Sequence, residues 1–186
     1  MEQGDKHAAK KRFWTRWNII ALAIVVLAIV ALMRTFVFET FFVSGDSMSP
    51  TITNGELLFV DRLAYLHSGP QRGDIVVAIP RTYPGEVVKR IIGLPGEWFS
   101  IENSQIVIRN SRTDQGVNLD ESYLKLPDTP AVGITRWNLD PEEYFALGDN
   151  RSVSIDSREL GPIDLWSIKG KVVGAFDFST LQYKAF

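Results

Sequence analysis

The chain has 186 residues, 45% of them hydrophobic and 23% charged, which is enough for one domain with a core plus an additional segment. Its net charge of −2 argues against binding nucleic acid by bulk electrostatic attraction. It contains no cysteine, which excludes disulfides, thiolate metal sites and cysteine nucleophiles, and its two histidines form no HExxH zinc motif.

The N-terminal segment combines positive charge with a long apolar run. Residues 1–16 are rich in Lys and Arg, and the run Ile19–Met33 follows between Trp17 and Arg34. About 20 residues are needed to cross the hydrocarbon core of a bilayer, and Trp and Arg suit its headgroup level. We therefore predict a cytoplasmic basic tail over residues 1–16 and one transmembrane helix over residues 17–38.

Two alternatives for this run are weaker. A cleaved signal peptide needs small residues before the cut, and the run ends Ala31-Leu32-Met33-Arg34, which does not fit. A buried core helix remains possible, although the flanking tryptophans and the upstream charges are unusual for one.

After the anchor, short apolar runs alternate with Gly, Pro, Asn and Asp turns, and no long helical period occurs. This pattern predicts a mainly β extracytoplasmic domain over residues 39–186, built from antiparallel sheet. Residues 110–141 are polar and contain Pro127 and Pro130, so we expect a small excursion from the main sheet there. The predicted strands are Leu57–Asp61, Ile75–Ile79, Val87–Ile92, Trp98–Glu102, Gln105–Arg109, Tyr144–Leu147 and Val172–Phe178.

Residues 36–43 link the anchor to this domain and are strongly apolar for a linker. They contain Phe36, Phe38, Phe41, Phe42 and Val43. We expect these side chains to meet the lipid surface or to line a substrate groove, with burial in the domain core as the alternative.

The segment Ser44–Thr51 reads Ser-Gly-Asp-Ser-Met-Ser-Pro-Thr. Glycine permits a tight turn and proline fixes the exit, so a serine between them can present its hydroxyl to a substrate carbonyl. Composition alone does not separate Ser44, Ser47 and Ser49 as the nucleophile, and a surface loop without catalysis fits the same residues.

A serine nucleophile needs a base, and with histidine nearly absent the natural alternative is lysine. In strand Val87–Ile92, alternation places Lys89 on one otherwise apolar face and Arg90 on the other. A lysine acts as a base near neutral pH only if burial lowers its pKa from ~10.4 by roughly 2 units, which costs about 3 kcal/mol. The alternative is an edge strand whose cations reach solvent.

The loop 148–158 follows an apolar strand and alternates Asp and Arg among hydroxyl groups. Such a loop can stabilise itself at the surface, or it can hold a catalytic group from behind.

These segments, taken in order, resemble the bacterial type I signal peptidases. The matching stretches are Ser44–Thr51, Gly73–Val77, Val88–Gly96 and Gly148–Arg158, preceded by a short anchor as in that family. The resemblance implies a mainly β catalytic domain of the signal peptidase and LexA type, with one transmembrane helix before it.

The resemblance also implies roles for individual residues. Ser47, followed by Met48, is the expected nucleophile, and Lys89 is the expected general base. Ser154 is expected to orient the lysine amine. A supporting group of residues shapes the loop behind it, namely Asp156 with Arg158, together with Arg151 and Asn150.

Two positions depart from the family pattern. Some members carry a serine two residues before the nucleophile, whose hydroxyl joins the oxyanion hole, and this chain has Gly45 there. The expected hole therefore consists of the Ser47 N–H and a second donor that the sequence does not identify, with Gly45 and Met48 beside the substrate. An acidic residue often follows the loop arginine, where this chain has Ser152.

The implied activity is removal of N-terminal signal peptides from exported preproteins, with cleavage after Ala-x-Ala. We expect a monomer on the plasma membrane that uses no cofactor or metal ion and binds preprotein signal peptides and the bilayer, but no nucleic acid. The alternatives are a LexA-type regulator, for which no DNA-binding module precedes Ser47, a related Ser/Lys processing protease of an organelle inner membrane, and a non-catalytic membrane-tethered β-domain.

Overall fold

The structure is a computed structural model that describes residues 3–124 and 129–186, with the backbone alone for residues 3–16 and 34–36. The side chains of the predicted basic tail, that of Phe36, and the whole of Pro127 lie outside the described part of the chain. Contacts divide the chain into two compact units, Met1–Phe38 and Glu39–Phe186.

The first unit is one helix, α1, over Gln3–Phe36. It contains the whole apolar run of the predicted anchor, and the large apolar side chains of that run are exposed, for example Leu22 at 64% and Leu27 at 67%. Over the described residues, no helix combines the length and the apolar character that a membrane crossing requires.

The second unit is built almost entirely from strands. Its helices are short: α2 covers Ser157–Leu160 and a 3-10 turn covers Leu165–Ser167. The strands of the described chain are β1 (Phe38–Phe42), β2 (Leu57–Asp61), β3 (Ile75–Ala78), β4 (Val87–Gly93), β5 (Trp98–Glu102), β6 (Gln105–Arg109), β7 (Val117–Asn118), β8 (Arg136–Asn138), β9 (Glu143–Leu147), β10 (Ile163–Asp164), β11 (Ile168–Asp177) and β12 (Gln182–Ala185).

The strands form two sheets. The larger has the order β1-β2-β11-β3-β4-β9-β10, with β12 also pairing with β11, and the second sheet has the order β7-β6-β5-β8. The ladders that surround β4 are antiparallel: β3 pairs with β4 and β4 pairs with β9. The prediction of a mainly antiparallel β fold is confirmed.

The predicted strands all occur, with small changes at their ends. Strand β11 begins at Ile168, four residues before the predicted start, since Ile168 and Gly170 pair with β3 across a register shift. Strand β1 was predicted as the end of the anchor and the start of a linker, because its Phe-rich sequence continues the apolar run without a turn. The predicted excursion over residues 110–141 contributes β7 and β8, the two edges of the second sheet.

Aromatic stacking joins the two sheets. Phe99 of β5 lies against Phe145 of β9, with ring centroids 4.0 Å apart, and both side chains are buried. Ile92, Ile106 and Leu147 belong to the same cluster. The second sheet therefore packs on β9 and on Ile92 of β4, the strand that carries Lys89.

Candidate active site

A groove of about 730 Å³ runs along the second unit. Three segments that are distant in sequence contribute most of its polar wall: the stretch after β1 with Ser47, strand β4 with Lys89, and the loop 148–158. Residues of β1, β2, β3 and the segment before β4 also line it. The linker residues Phe41, Phe42 and Val43 all line this groove. Phe41 and Val43 also pack against the core, whereas Phe42 is 70% exposed.

Ser47 and Lys89 meet in this groove. The Lys89 Nζ donates a hydrogen bond of 2.9 Å to Ser47 Oγ and another of 3.0 Å to the Val88 carbonyl. Of the three candidate serines, Ser47 is the one that accepts from this lysine. Ser44 also lines the groove, and the Ser49 N–H bonds to the Asp46 carbonyl.

Burial changes the acidity of the Lys89 amine. The residue is only 3% exposed, and desolvation lowers its pKa to about 8. Asp156 and Asp149 oppose this shift because their negative charges raise the pKa, whereas Arg158 lowers it. A pKa near 8 leaves a useful fraction of neutral amine at physiological pH, so this lysine is able to accept a proton.

The neighbouring cation, Arg90, has a different environment. It forms a two-point ion pair with Asp149, with Nε 2.9 Å and Nη2 2.6 Å from the two carboxylate oxygens. The Thr51 hydroxyl donates to the same carboxylate at 2.5 Å. Both cations of β4 are thus buried, but Arg90 is neutralised by a carboxylate, while the hydrogen bonds of Lys89 go to a hydroxyl and a carbonyl.

Met48 holds the nucleophile loop to the core. Its side chain is 2% exposed and packs with Ile52 and Leu58. The Ile52 N–H donates to the Met48 carbonyl at 3.0 Å, so the chain turns back immediately after Ser47. A buried methionine thereby fixes the residue before it at the edge of the groove.

Gly45 lies at the mouth of the groove with φ of +106°, a conformation that favours glycine. Its N–H donates to the Asn54 side-chain oxygen at 3.0 Å. That donor already has an acceptor within the protein, so the second donor of the expected oxyanion hole stays unidentified.

The loop 148–158 is held by its own charges. Asp156 caps α2, accepts from Gly148 N–H at 3.1 Å and pairs with Arg158 at 2.9 Å. Arg158 in turn donates to the Arg151 carbonyl at 2.7 Å. Each of these charged side chains is buried and hydrogen-bonded, which is the condition under which buried charge is tolerated.

This loop contacts the Ser47 backbone. Asn150 N–H donates to the Ser47 carbonyl at 3.0 Å, and the Asn150 side chain donates to the Asp46 carbonyl at 3.1 Å. A Cβ on Gly148 would overlap the Ser154 hydroxyl and the Ser47 carbonyl, so the loop lies against the nucleophile with no space between them. Among the described side chains, the buried Ser154 Oγ has no hydrogen-bond partner.

Five of the predicted site residues line the groove, namely Gly45, Ser47, Met48, Lys89 and Asn150. The other four, Arg151, Ser154, Asp156 and Arg158, belong to the loop 148–158 but do not line the groove, and Ser154 makes no hydrogen bond to the Lys89 amine. The sequence did not indicate the contacts of Glu121 and Thr129 with Arg151, nor the bonds of Arg90 and Thr51 to Asp149. The alternating Asp and Arg of the loop signalled ion pairs but not their partners. Within the described residues, no group of three or more His, Asp or Glu side chains is placed to bind a metal ion.

The family model described as signal peptidase, peptidase S26, matches residues 16–176. Signal peptidase I P of Bacillus subtilis subsp. natto is 35% identical over 162 residues, covering 83% of each chain. Signal peptidase I of Bacillus caldolyticus is 35% identical over 174 residues, covering 87% of this chain and 90% of the relative. A crystal structure of a signal peptidase I from Enterococcus faecalis V583 is 30% identical with a TM-score of 0.46, covering 55% of this chain and 96% of that chain.

The low pKa of Lys89 makes a prediction about stability. Because its folded pKa of about 8 lies below the ordinary lysine pKa of 10.5, protonation opposes folding below pH 8 by up to about 3 kcal/mol, and this penalty disappears as pH rises past 10.5. Lys89→Met removes the penalty. We therefore expect the variant to be more stable than wild type at pH 7, with the difference shrinking as pH rises from 8 to 10.5.

Urea unfolding of the full-length proteins across this pH range measures the difference. Ser47→Ala retains the lysine and is the control, since its stability should follow the pH dependence of the wild type. A constant difference between Lys89→Met and wild type at every pH would contradict a depressed pKa at this site.

Proposed function

This chain belongs to the signal peptidase family, peptidase S26, and from that premise we propose that it is a membrane-bound serine endopeptidase that removes signal peptides by a Ser47/Lys89 dyad. The observation that carries the proposal is the 2.9 Å hydrogen bond between the amine and the hydroxyl in a groove that lowers the pKa of the amine. A nucleophile within hydrogen-bond reach of its base is the geometric signature of covalent catalysis by serine.

In the proposed mechanism, neutral Lys89 takes the proton from Ser47 as the serine oxygen attacks the scissile carbonyl. The resulting ammonium returns a proton to the leaving amine, an acyl-enzyme remains on Ser47, and water then releases it with Lys89 again as base. The backbone N–H of Ser47 and a second donor stabilise the oxyanion. Asp156, Arg158 and Asn150 act indirectly by fixing the loop against Ser47.

The lining of the groove supports selection of small apolar side chains. Val43, Met48 and Val88 line it together with Ser47, and all three are apolar. A substrate strand lying along this wall would place the side chains one and three residues before the cut toward these groups, where bulky groups clash. We propose that this is how Ala-x-Ala is read.

The proposed location is the plasma membrane, with the N-terminus cytoplasmic and the β domain outside. Support comes from the apolar run Ile19–Met33. Its large apolar side chains are exposed on α1, where lipid would be a suitable environment for them.

The dyad predicts the activities of two variants. Purified full-length protein should cleave a preprotein with Ala-x-Ala, and both Ser47→Ala and Lys89→Met should lose at least about 10³-fold in kcat. Because the lysine must be neutral, kcat/KM of the wild type should rise roughly tenfold per pH unit below 8 and level off above it.

Ser44→Ala and Ser49→Ala are the matched controls and should stay active. Activity retained by Lys89→Met would contradict the role of Lys89 as the general base. Activity retained by Ser47→Ala, but lost in one of the two controls, would assign the nucleophile to that other serine.

Specificity gives a separate prediction. Replacing the alanine before the cut in the preprotein by phenylalanine should lower kcat/KM by about 100-fold or more. We expect the groove wall beside Ser47 to exclude the phenyl ring. Val88→Ala should recover part of this loss with the bulky substrate. Val117→Ala, at a 72%-exposed position of β7, is the matched control and should recover nothing. Equal cleavage of both substrates by the wild type would refute steric selection.

Membrane anchoring is tested by alkaline carbonate extraction of the full chain from lipid vesicles. The wild type should remain with the vesicles, and the double variant Val25→Lys/Val26→Lys should be released, because each charge at a helix centre costs about 3 kcal/mol in lipid. Leu63→Lys/Leu66→Lys adds the same charge to exposed positions of the second unit and should stay bound. Release of the wild type from the vesicles would contradict the proposed membrane anchor.

A further inference from the structure

Arg151 connects the loop 148–158 to the segment between β7 and β8. Its Nη1 donates to Glu121 Oε2 at 3.1 Å and also to the Thr129 hydroxyl, and its Nη2 donates to Glu121 Oε1. Arg151 is 5% exposed and Glu121 is 6% exposed. Burial lowers the pKa of this guanidinium, but Glu121, together with Tyr123 and Asp149, outweighs that effect and raises it.

The other side of Arg151 faces its own loop. Its Nε donates to the Gly148 carbonyl at 3.0 Å, and its carbonyl accepts from Arg158 at 2.7 Å. Gly148 lies against Ser154 and Ser47 with no space for a Cβ. One guanidinium therefore links a carboxylate of the 110–141 segment to the residue that touches the nucleophile.

The charged groups that act on Lys89 are carried by this loop. They are Asp156, Asp149 and Arg158, whose charges act on the pKa of the amine, while its hydrogen bonds go to the Ser47 hydroxyl and the Val88 carbonyl. Arg151 and Glu121 do not line the groove and do not contact Lys89. Their effect on the amine can therefore pass only through the position of the loop.

Resting on the proposed dyad, we propose that Glu121 is a positioning residue, whose ion pair with Arg151 holds the loop 148–158 against Ser47 and keeps water away from Lys89. Removing the Glu121 carboxylate leaves the buried Arg151 guanidinium without a counter-ion. We expect the loop to move toward solvent so that this guanidinium becomes hydrated. The 110–141 segment thus acquires a role in catalysis through a single carboxylate, although it lies outside the groove.

Glu121→Gln tests this role. We expect kcat to fall about tenfold, within the ~2- to 30-fold range of coupling through contiguous networks, while KM changes less than about twofold. Because the amine becomes hydrated, the acid limb of the pH–rate profile should move to higher pH. Glu102→Gln is the control. It removes the carboxylate of another ion pair, in which Glu102 Oε1 of β5 lies 3.0 Å from Arg109 Nη1 of β6.

A second readout does not depend on cleavage. Competitive labelling of amines with a trace acylating reagent, followed by mass spectrometry, measures the pKa of Lys89 in the Ser47→Ala background. Adding Glu121→Gln should raise that pKa, and adding Glu102→Gln should not. In an Arg151→Gln background, Glu121→Gln should have no further effect, because the two residues act as one unit.

An unchanged Lys89 pKa and pH profile in Glu121→Gln, with normal wild-type cleavage, would overturn the positioning role and leave the dyad intact. Failure of wild-type cleavage, or activity in Lys89→Met, would instead overturn the proposed function. Should Glu121→Gln not fold, Thr129→Val removes only an acceptor of Arg151 and should give a smaller shift in the same direction, with no shift refuting the proposal.

Discussion

The hydrogen bond between the Lys89 amine and the Ser47 hydroxyl joins segments 42 residues apart, and its chemistry depends on excluding water from the amine. A lysine at a strand position usually extends to solvent, where its pKa stays high and it cannot take a proton near neutral pH. Here β3 and β9 flank its strand, and the loop 148–158 and the Ser47 turn close over it. Much of the second unit can be understood as the scaffold for this one desolvated group.

The two adjacent cations of β4, Lys89 and Arg90, have different hydrogen-bond partners. Arg90 receives a carboxylate with two hydrogen bonds, which suits a guanidinium that does not give up its proton. Lys89 receives neutral oxygen acceptors, and the charges that act on its pKa come from two aspartates and one arginine that do not bond to it. The same strand can therefore carry a permanent structural charge and a titratable base one residue apart.

The sequence was informative where the physics is local. Alternating apolar residues and Gly/Pro turns located the long strands, and the short motifs around Ser47, Lys89 and Asp156 located the groove. Strands β7 and β8 were missed because they are only two and three residues long and depend on pairing with β6 and β5. Glu121 gave no signal either, since it lies in a polar stretch and its significance comes from Arg151, 30 residues further along the chain.

Gly148 shows how closely this arrangement is packed. A Cβ at this position would overlap both the Ser154 hydroxyl and the Ser47 carbonyl. Substitution there would displace the loop from Ser47 while leaving the hydroxyl, the amine and the charged side chains chemically intact. In a mutational survey this glycine would therefore look like a participant in the reaction. The lack of space around its Cα is enough to prevent any other residue from occupying the position.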